Sequence, residues 1–415
     1  MSFKKGLLAA LVFMAVDAGA QDFRAIRESE LRDKIAGYWI GQLVGNYVGF
    51  PFENIYMDKP IPVFIDRYLD FHALDSLDLQ MNVNDRRAYM PIMANAMNGA
   101  WTDDDTDIEF VTLHAVEQYG LDITYDEITI MWKKHINRFI WSANRQARDL
   151  MDQGLVPPAT GNKSNNPYWY RITSQLVNEI WSIFYPGMTK MAARRAGWGA
   201  HIMCDSWATH ATITYGIMYS AAFFEKNVSR LVQLAIDYLP PDSPYREGLI
   251  NVVKWHQENE DWRVTRQLIH DHYFARVDGF EIPYPVGGSV VNGLCGIMAM
   301  LYGQGDFTRT VGLATTAGYD CDNQAATCGG LTGVMYGASA IPSYFTLELN
   351  PGLQWTKPFN DQYINYSRDD LPNYTTISGI VDRLLKIAEE AILTMGGRKE
   401  TRNGELFLLI PVDFK

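Results

Sequence analysis

The sequence is poor in the residues that mark several large classes of protein. It has only four cysteines among 415 residues, with neither a CxxC pair nor the spacing of zinc ligands. We therefore predict four small buried side chains, and neither a disulfide framework nor a zinc site. Lysine and arginine number 36 against 48 aspartates and glutamates, and they form no basic stripe. This balance makes the chain a poor candidate for binding duplex nucleic acid.

Long apolar runs are also missing after the first twenty residues. A positively charged start precedes an apolar stretch over residues 6–16, and small residues at 18–20 form a cleavage site. The apolar stretch is too short to cross a bilayer, so the pattern predicts a signal peptide over residues 1–20. We expect the mature chain, residues 21–415, to be exported, periplasmic or secreted, with no membrane contact after cleavage.

Alternating β patterns are scarce, whereas apolar residues recur at intervals of three and four along most of the chain. This spacing is typical of amphipathic helices. It predicts helices over residues 31–48, 107–118, 127–150, 171–185, 206–226, 228–238, 247–256, 290–302, 308–317, 323–338 and 375–395. One short β-like run lies at residues 405–412. We predict an all-α fold, a compact many-helix orthogonal bundle formed by residues 21–415 as a single domain, with at most a short β element near the C-terminus.

The segment Trp101-Thr102-Asp103-Asp104-Asp105-Thr106-Asp107 places four carboxylates in five positions, just before a predicted helix. Helix capping and the helix dipole account for one or two of these acids. Four adjacent acids repel each other unless a cation or a raised pKa relieves the repulsion, so a metal site is the better interpretation.

Two named metal motifs can be compared with this segment by spacing. A calcium-binding EF-hand loop is excluded because Ile108 and His114 stand where glycine and glutamate are required. The DDxxD motif of helical, magnesium-dependent terpene synthases is matched by Asp103, Asp104 and Asp107. It stays a distant alternative, because no basic site for a diphosphate accompanies it.

A second acidic segment, Gly318-Tyr319-Asp320-Cys321-Asp322-Asn323, also precedes a predicted helix. A phosphatase DxDx[TV] motif is not matched, because Gln324 occupies its last position. Paired with the first segment, this one suits a hard divalent cation such as Mg²⁺, which carboxylates from separate elements hold together with water. The helix that follows has a bare face, with Ala325, Gly329, Gly333 and Gly337. Such a face permits close helix packing, and we expect it to hold the acidic loop against the core.

Glycines also recur every four residues on the first predicted helix, at positions 37, 41, 45 and 49, and Glu53 follows at its end. Together the three segments resemble the ADP-ribosylglycohydrolase family, which includes protein-ADP-ribosyl hydrolases, the dinitrogenase-reductase-activating glycohydrolase and the J1 crystallins. The matching stretches read GNYVGFPFE, WTDDDTDIEF and GYDCDNQAATCGGLTGVMYG. The resemblance implies the family's helical fold and a metal-dependent hydrolase that cleaves an N- or O-glycosidic bond to a ribose-like sugar.

By the same resemblance, both acidic segments supply metal ligands. The candidate ligands are Thr102, Asp103, Asp104, Asp105, Asp320, Asp322 and Asn323. The extra aspartate leaves the register of the first segment open, since either residues 102–104 or residues 103–105 fill the family's ligand positions. Asn323 stands where the family has threonine, and its amide oxygen can still bind a cation. We expect Mg²⁺ as the cofactor, with two ions bound and Mn²⁺ as an alternative.

The residues that act on the substrate are less sharply defined. A ribosyl bond breaks through an oxocarbenium-like transition state, so one carboxylate has to serve as acid or base. Glu53, which matches the family's glutamate, and Asp104 are the candidates. A bacterial branch of the family resembles the middle of the chain as well. It implies a substrate pocket formed by the loop over residues 154–168 and by Asn166, Asp205 and His210.

The expected substrate is a small molecule or glycan with a ribose-like sugar: an ADP-ribosyl conjugate, a nucleoside or a furanoside. A second hypothesis is a non-catalytic sugar- or nucleotide-binding protein on the same fold, as the crystallins suggest. It stays open because Asn46 and Asn323 depart from the family's pattern. Binding without turnover would distinguish the second hypothesis from the first.

Overall fold

The structure is a computed structural model that describes residues 22–69, 71–81, 90–349 and 354–414. The predicted signal peptide lies outside these ranges. The α-helices of the described residues are α1 Glu28–Gly49, α2 Phe71–Ser76, α3 Met90–Met97, α4 Asp104–Tyr119, α5 Tyr125–His135, α6 Ser142–Asp152, α7 Ile180–Ile183, α8 Thr189–Ala200, α9 Thr209–Ala222, α10 Val228–Tyr238, α11 Pro244–Glu258, α12 Trp262–Tyr273, α13 Ser289–Gly303, α14 Phe307–Thr316, α15 Cys321–Tyr336 and α16 Ile377–Thr394. The strands are β1 Phe23–Arg27, β2 Arg276–Val277, β3 Phe280–Glu281, β4 Gln362–Ile364, β5 Tyr374–Thr376, β6 Arg398–Arg402 and β7 Glu405–Pro411. The predicted all-α class is confirmed.

Two of the predicted helices are wrong as single elements. The prediction over residues 127–150 is divided between α5 and α6, because Phe139 and Ser142 adopt positive φ angles of 49° and 46°. Non-glycine residues adopt such angles in turns rather than in helices. The prediction over residues 171–185 becomes two short 3-10 turns followed by the four-residue α7. Both irregular stretches carry residues that line a cavity.

Helices α1 and α15 run antiparallel with their backbones in contact along the two glycine-bearing faces. A Cβ atom built on Gly41 would lie 2.3 Å from the carbonyl oxygen of Gly329, and one on Gly45 would lie 2.1 Å from that of Ala325. No side chain fits at these distances, so the small residues are required. The predicted close packing is confirmed. It brings the end of α1 to the start of α15, where the second acidic segment lies.

A three-stranded antiparallel sheet, in the order β1-β7-β6, joins the start and the end of the described chain. Its central strand β7 is the predicted β-like run. Phe23 of β1 pairs with Pro411, and Arg398 of β6 pairs with Leu409. The β element near the C-terminus is therefore larger than the sequence predicted, because its partner β1 is distant in sequence.

Two expectations from composition can be compared with the structure. All four cysteines are buried and free, as the sequence predicts. No helix within the described ranges is long and apolar enough to cross a membrane.

Candidate metal centre and cavity

The end of α1 and the start of α15 meet at Gly49 and Asp322. A Cβ atom built on Gly49 would lie 2.3 Å from the Cα atom of Asp322, so the absence of a side chain lets the second acidic segment approach. Beyond α1, the backbone amide of Asn54 donates to the carbonyl oxygen of Tyr319 at 2.8 Å. This bond joins the loop after α1 to the loop before α15 and so places Glu53 beside the second acidic segment.

The first acidic segment forms the N-terminus of α4. Asp103 is the N-cap, and its carboxylate accepts the backbone amide of Asp105 at 3.3 Å. The positive end of the helix dipole favours carboxylates at this position. In the first turn, the hydroxyl of Thr106 donates to the side-chain oxygen of Asn46 in α1 at 3.0 Å. Helix α1 therefore contacts both acidic segments and holds them at one end of the bundle.

Two groups of carboxylates at this end have the geometry to hold a metal ion. Glu53, Asp320 and Asp322 form the Glu53 trio. Asp103, Asp105 and Asp322 form the Asp103 trio. Within each trio, one oxygen from every residue lies within 4.8 Å of the others, and Asp322 belongs to both. Hard divalent cations prefer such oxygen ligands, so the residues of each trio would suit a divalent cation, and Asp322 is common to both.

The electrostatics of the trios also fit a cation. Burial, followed by the charges of Asp103 and Asp104, raises the pKa of Asp105 well above its usual range. Burial, followed by the charges of Glu53 and Asp320, does the same to the pKa of Asp322. The Oδ1 atom of Asp322 is buried and has no hydrogen-bond partner among the described residues. Since buried polar atoms nearly always have a partner, this oxygen is suited to a metal ligand's role.

The structure separates the remaining candidate ligands of the first segment. Asp104 lines the cavity but belongs to neither trio, and the side chain of Asn144 donates to its carboxylate at 3.4 Å. Thr102 is buried outside the cavity lining, where its hydroxyl donates to the backbone oxygen of Asp103 at 3.2 Å. Of the first segment, the trios therefore include Asp103 and Asp105 but neither Thr102 nor Asp104, and the register of the metal ligands remains a prediction.

Asn323 lines the cavity in an orientation that the sequence did not predict. Its Nδ2 atom donates to the carboxylate of Asp105 at 3.4 Å. Its Oδ1 atom accepts the side-chain amide of Gln324 at 3.2 Å. In this arrangement Asn323 orients a ligand of the Asp103 trio, and the predicted binding of a cation by its amide oxygen, which keeps a second lone pair, remains a prediction.

The loop over residues 154–168 reaches the cavity through Tyr168, but Asn166 does not. Asn166 is fully buried, and its side-chain amide donates to three backbone oxygens, those of Ala143, Thr160 and Met203. Its side-chain oxygen accepts the backbone amide of Tyr168 at 3.0 Å. These bonds hold the loop in place, and the expected contact of Asn166 with substrate remains a prediction.

Asp205 and His210 also lie outside the cavity lining. Asp205 accepts the backbone amides of Lys163 at 3.0 Å and Ser206 at 2.7 Å, so it fastens the 154–168 loop to the start of the next short helix. His210 forms a 2.8 Å hydrogen bond with Ser243, and burial lowers the pKa of its imidazole to about 4. Both side chains support the fold, and their expected contacts with substrate remain predictions.

A cavity of about 440 Å³ lies over the trios. Besides the acids, its lining contains Asn54, Trp141, Ser142, Tyr168, Arg171, Ile172, Thr173 and Tyr284. Trp141, Tyr168 and Tyr284 are all more than two-fifths exposed, unlike most aromatic residues of this protein. Exposed rings at a polar cavity can stack against a sugar or a base. Most residues of this wall were not predicted from the sequence, because exposure cannot be inferred from an aromatic-rich composition.

Asp107, the fourth acid of the first segment, lies outside the cavity lining. Its carboxylate forms a buried ion pair with Arg368, with 2.7 Å between Oδ1 and Nε. The Arg368 guanidinium also donates to the carbonyl oxygens of Arg138 and Phe139, at 2.9 and 2.8 Å. Asp107 thus supports the turn that carries Trp141. The terpene-synthase alternative is excluded, because its DDxxD motif requires the last acid in the site.

Comparison with known proteins agrees with the geometry of this site. The family model described as ADP-ribosylglycohydrolase matches residues 27–388. The chain belongs to the ADP-ribosylglycohydrolase family. Membership makes the protein a glycosyl hydrolase-like enzyme.

Similarity to solved structures supports the fold of this ADP-ribosylglycohydrolase family member. A structure described as an ADP-ribosylglycohydrolase-related protein complex aligns with a TM-score of 0.52 at 16% identity, covering 87% of this chain and 99% of that chain. At this identity the likeness shows the shared fold alone. A search of curated proteins finds no match.

Proposed function

We propose that the protein is a metal-dependent hydrolase that cleaves the N- or O-glycosidic bond of a ribose-like sugar. The observation that carries the proposal is the pair of carboxylate trios that share Asp322 beneath the cavity. Their all-oxygen donor set suits Mg²⁺, or Mn²⁺ as the alternative. The sugar belongs to an ADP-ribosyl conjugate, a nucleoside or a furanoside.

The two trios would hold the cations. When bound, divalent cations orient sugar hydroxyls and lower the pKa of a water molecule. The carboxylates of the protein face the positive charge that develops on the sugar ring as the glycosidic bond breaks, and fixed anions stabilise that charge. The exposed rings of Trp141, Tyr168 and Tyr284 offer apolar faces on which the substrate can be oriented.

Asp104 is the best-placed residue for proton transfer. It lines the cavity outside both trios, whereas Glu53 is a member of one. The hydrogen bond from Asn144 fixes the orientation of the Asp104 carboxylate. We therefore assign Asp104 to acid–base catalysis and Glu53 to cation binding.

The test is hydrolysis of ADP-ribosylarginine, a nucleoside panel and aryl furanosides, each with Mg²⁺, Mn²⁺ or EDTA. We expect turnover of at least one substrate class, and only with metal present. Asp104→Asn should lower kcat by about 10²- to 10⁴-fold, the usual contribution of a general acid or base, and leave metal affinity nearly unchanged. Asp149→Asn, which changes an exposed acid of α6 outside the cavity lining, is the matched control. Binding without turnover across all classes would support the non-catalytic binding protein instead.

We also propose that the chain is exported, on the N-terminal sequence pattern alone. Mass spectrometry of the protein from its native source should find a mature start near Gln21. A chain that retains Met1 would contradict export.

A further inference from the structure

Arg171 is the one cationic side chain among the described residues that line the cavity. Six carboxylates share that lining. Arginine in such surroundings normally forms an ion pair with an acid, since the guanidinium matches a carboxylate with two parallel hydrogen bonds. The salt bridges between described residues include none formed by Arg171, and the residue is only partly buried. Its positive charge is therefore left available to the cavity.

The backbone and the neighbouring ring hold the Arg171 side chain in a defined place. Its Cζ atom lies 4.5 Å from the centre of the Tyr284 ring, a cation–π contact. A Cβ atom built on Gly287 would lie 2.4 Å from Nε and 2.5 Å from Cζ of Arg171, so a side chain at position 287 would displace the guanidinium from this place. Stacking on an aromatic face fixes the plane of a guanidinium and leaves its edge able to donate.

Part of this donating edge is unused. The Tyr170 hydroxyl forms a hydrogen bond with the Arg171 side chain, but the buried Nε atom of Arg171 has no hydrogen-bond partner among the described residues. A buried donor without a partner is uncommon, and at a functional site it indicates a group that pairs on ligand binding. Stacking on Tyr284 accounts for the position of the guanidinium but not for the unpaired donor.

From these contacts we infer that Arg171 determines specificity by binding an anionic group, a phosphate or a carboxylate, attached to the sugar in the cavity. The inference rests on the proposed function in one respect, namely that the cavity takes a ribose-like sugar. It selects among the substrate classes proposed above, because neutral nucleosides and neutral furanosides carry no such group. The six carboxylates that line the cavity repel an anion, so an anionic substrate needs a fixed positive charge in the lining, such as that of Arg171.

The experiment compares three ligands that share one ring: methyl ribofuranoside, its 5-phosphate and its 5-carboxylate. Their affinities are measured by isothermal titration calorimetry, in Mg²⁺, for the wild type and for Arg171→Gln, Arg171→Lys and Arg276→Gln. Arg276 lies in β2 outside the cavity lining and controls for the loss of one positive charge.

We expect the wild type to bind at least one anionic ligand more tightly than the neutral riboside. Arg171→Gln should weaken the binding of that ligand by about 10- to 100-fold, as the loss of a charged hydrogen bond predicts, and change neutral riboside binding by less than about threefold. Arg171→Lys should recover part of the loss, because it keeps the charge and loses the planar fork. Preference for the phosphate or for the carboxylate identifies the anion.

Equal weakening of neutral and anionic ligands by Arg171→Gln, with an unchanged melting temperature, would show a purely structural role and overturn the inference. A wild type that binds the neutral riboside as tightly as both anions would also overturn it. Failure of the proposed function looks different: Arg171-dependent binding of an anion would persist, without metal-dependent hydrolysis of any substrate.

Discussion

Helix α4 carries carboxylates of two buried clusters that the protein stabilises in different ways. Asp105, in its first turn, belongs to the cavity floor, whereas Glu109, one turn later, lies in the core close to Glu179. Hydrogen-bond donors reach both core acids. The hydroxyl of Tyr38 donates to Glu109, and the side chain of Gln42 donates to Glu179 at 3.2 Å.

The difference separates a structural buried acid from a functional one. Burial raises the pKa of Glu179 to about 8, so this acid is largely protonated at neutral pH and needs no counter-ion. Glu179 and Asp322 each have one buried oxygen without a hydrogen-bond partner among the described residues, Oε1 and Oδ1 respectively, but only Asp322 lines the cavity, where an ion can reach it. In the closed core, protonation of Glu179 suffices; beside the cavity, where neighbouring carboxylates raise the pKa of Asp105 and Asp322, a cation would relieve the repulsion.

The largest effect should come from removing the acid that both trios share. Asp322→Asn should lower kcat/KM at saturating Mg²⁺ by at least about 100-fold, since even the loss of groups that only orient metal ligands costs about 10- to 100-fold. Glu179→Gln, which changes a core acid, should leave kcat/KM nearly unchanged. Steady-state kinetics of the two variants measure the contrast. Similar losses in both would remove the distinction between the clusters.

A smaller effect should follow from adding one methyl group at two positions of the same helix. Gly41→Ala forces a Cβ atom to 2.3 Å from the backbone of Gly329, and Gly49→Ala forces one to 2.3 Å from the Cα atom of Asp322. Each should lower the free energy of unfolding in EDTA by about 1–3 kcal/mol, through overpacking. Only Gly49→Ala should also reduce the stabilisation that Mg²⁺ adds. Urea unfolding with and without Mg²⁺ measures both quantities.

Gly197→Ala in α8 is the matched control for these variants. Its added Cβ atom would meet only the flexible end of Ile213, at 3.2 Å. Little change in stability, and none in the response to Mg²⁺, is expected. A response to Mg²⁺ that Gly41→Ala and Gly49→Ala reduce equally would mean that the helix contact does not position Asp322.

The smallest effect concerns the pH dependence of the core cluster. The folded protein holds a proton on Glu179 up to pH about 8, whereas the unfolded chain releases it near the ordinary glutamate pKa of 4.5. Between pH 4.5 and pH about 8, the folded state therefore binds more protons than the unfolded chain. The stability that Glu179 contributes is fully present below pH 4.5 and is lost as the pH rises to about 8. Glu179→Gln mimics the protonated acid, so its free energy of unfolding in EDTA should fall less between pH 5 and pH 8.

Urea unfolding of the wild type and Glu179→Gln across this pH range checks the prediction. Glu258→Gln, which changes an exposed acid that pairs with Lys254, is the control and should follow the wild type. Parallel pH profiles for wild type and Glu179→Gln would show that Glu179 is ionised in the folded state. The proposed difference between the core acids and the carboxylates that line the cavity would then be wrong.

The floor of the cavity could be predicted from the sequence far better than its wall. Asp103 to Asp105 and Asp320 to Asp322 are dense local clusters, and repulsion between neighbouring acids is evident without a structure. Trp141 and Arg171 stand alone in apparently helical stretches, and only the turns that interrupt those helices bring them to the cavity. The resemblance to a bacterial branch of the family implies that Asn166 belongs to the substrate pocket. In the structure, the side-chain amide of Asn166 donates to the backbone oxygen of Thr160 in its own loop.

Calorimetric titration of Mn²⁺ into the metal-free protein tests most directly whether the two acidic segments form one metal centre around Asp322. The account predicts two ions for the wild type, one ion for Asp105→Asn and for Asp320→Asn, and neither ion at comparable affinity for Asp322→Asn. Two ions bound by Asp322→Asn with wild-type affinity, or none bound by the wild type, would contradict a shared centre.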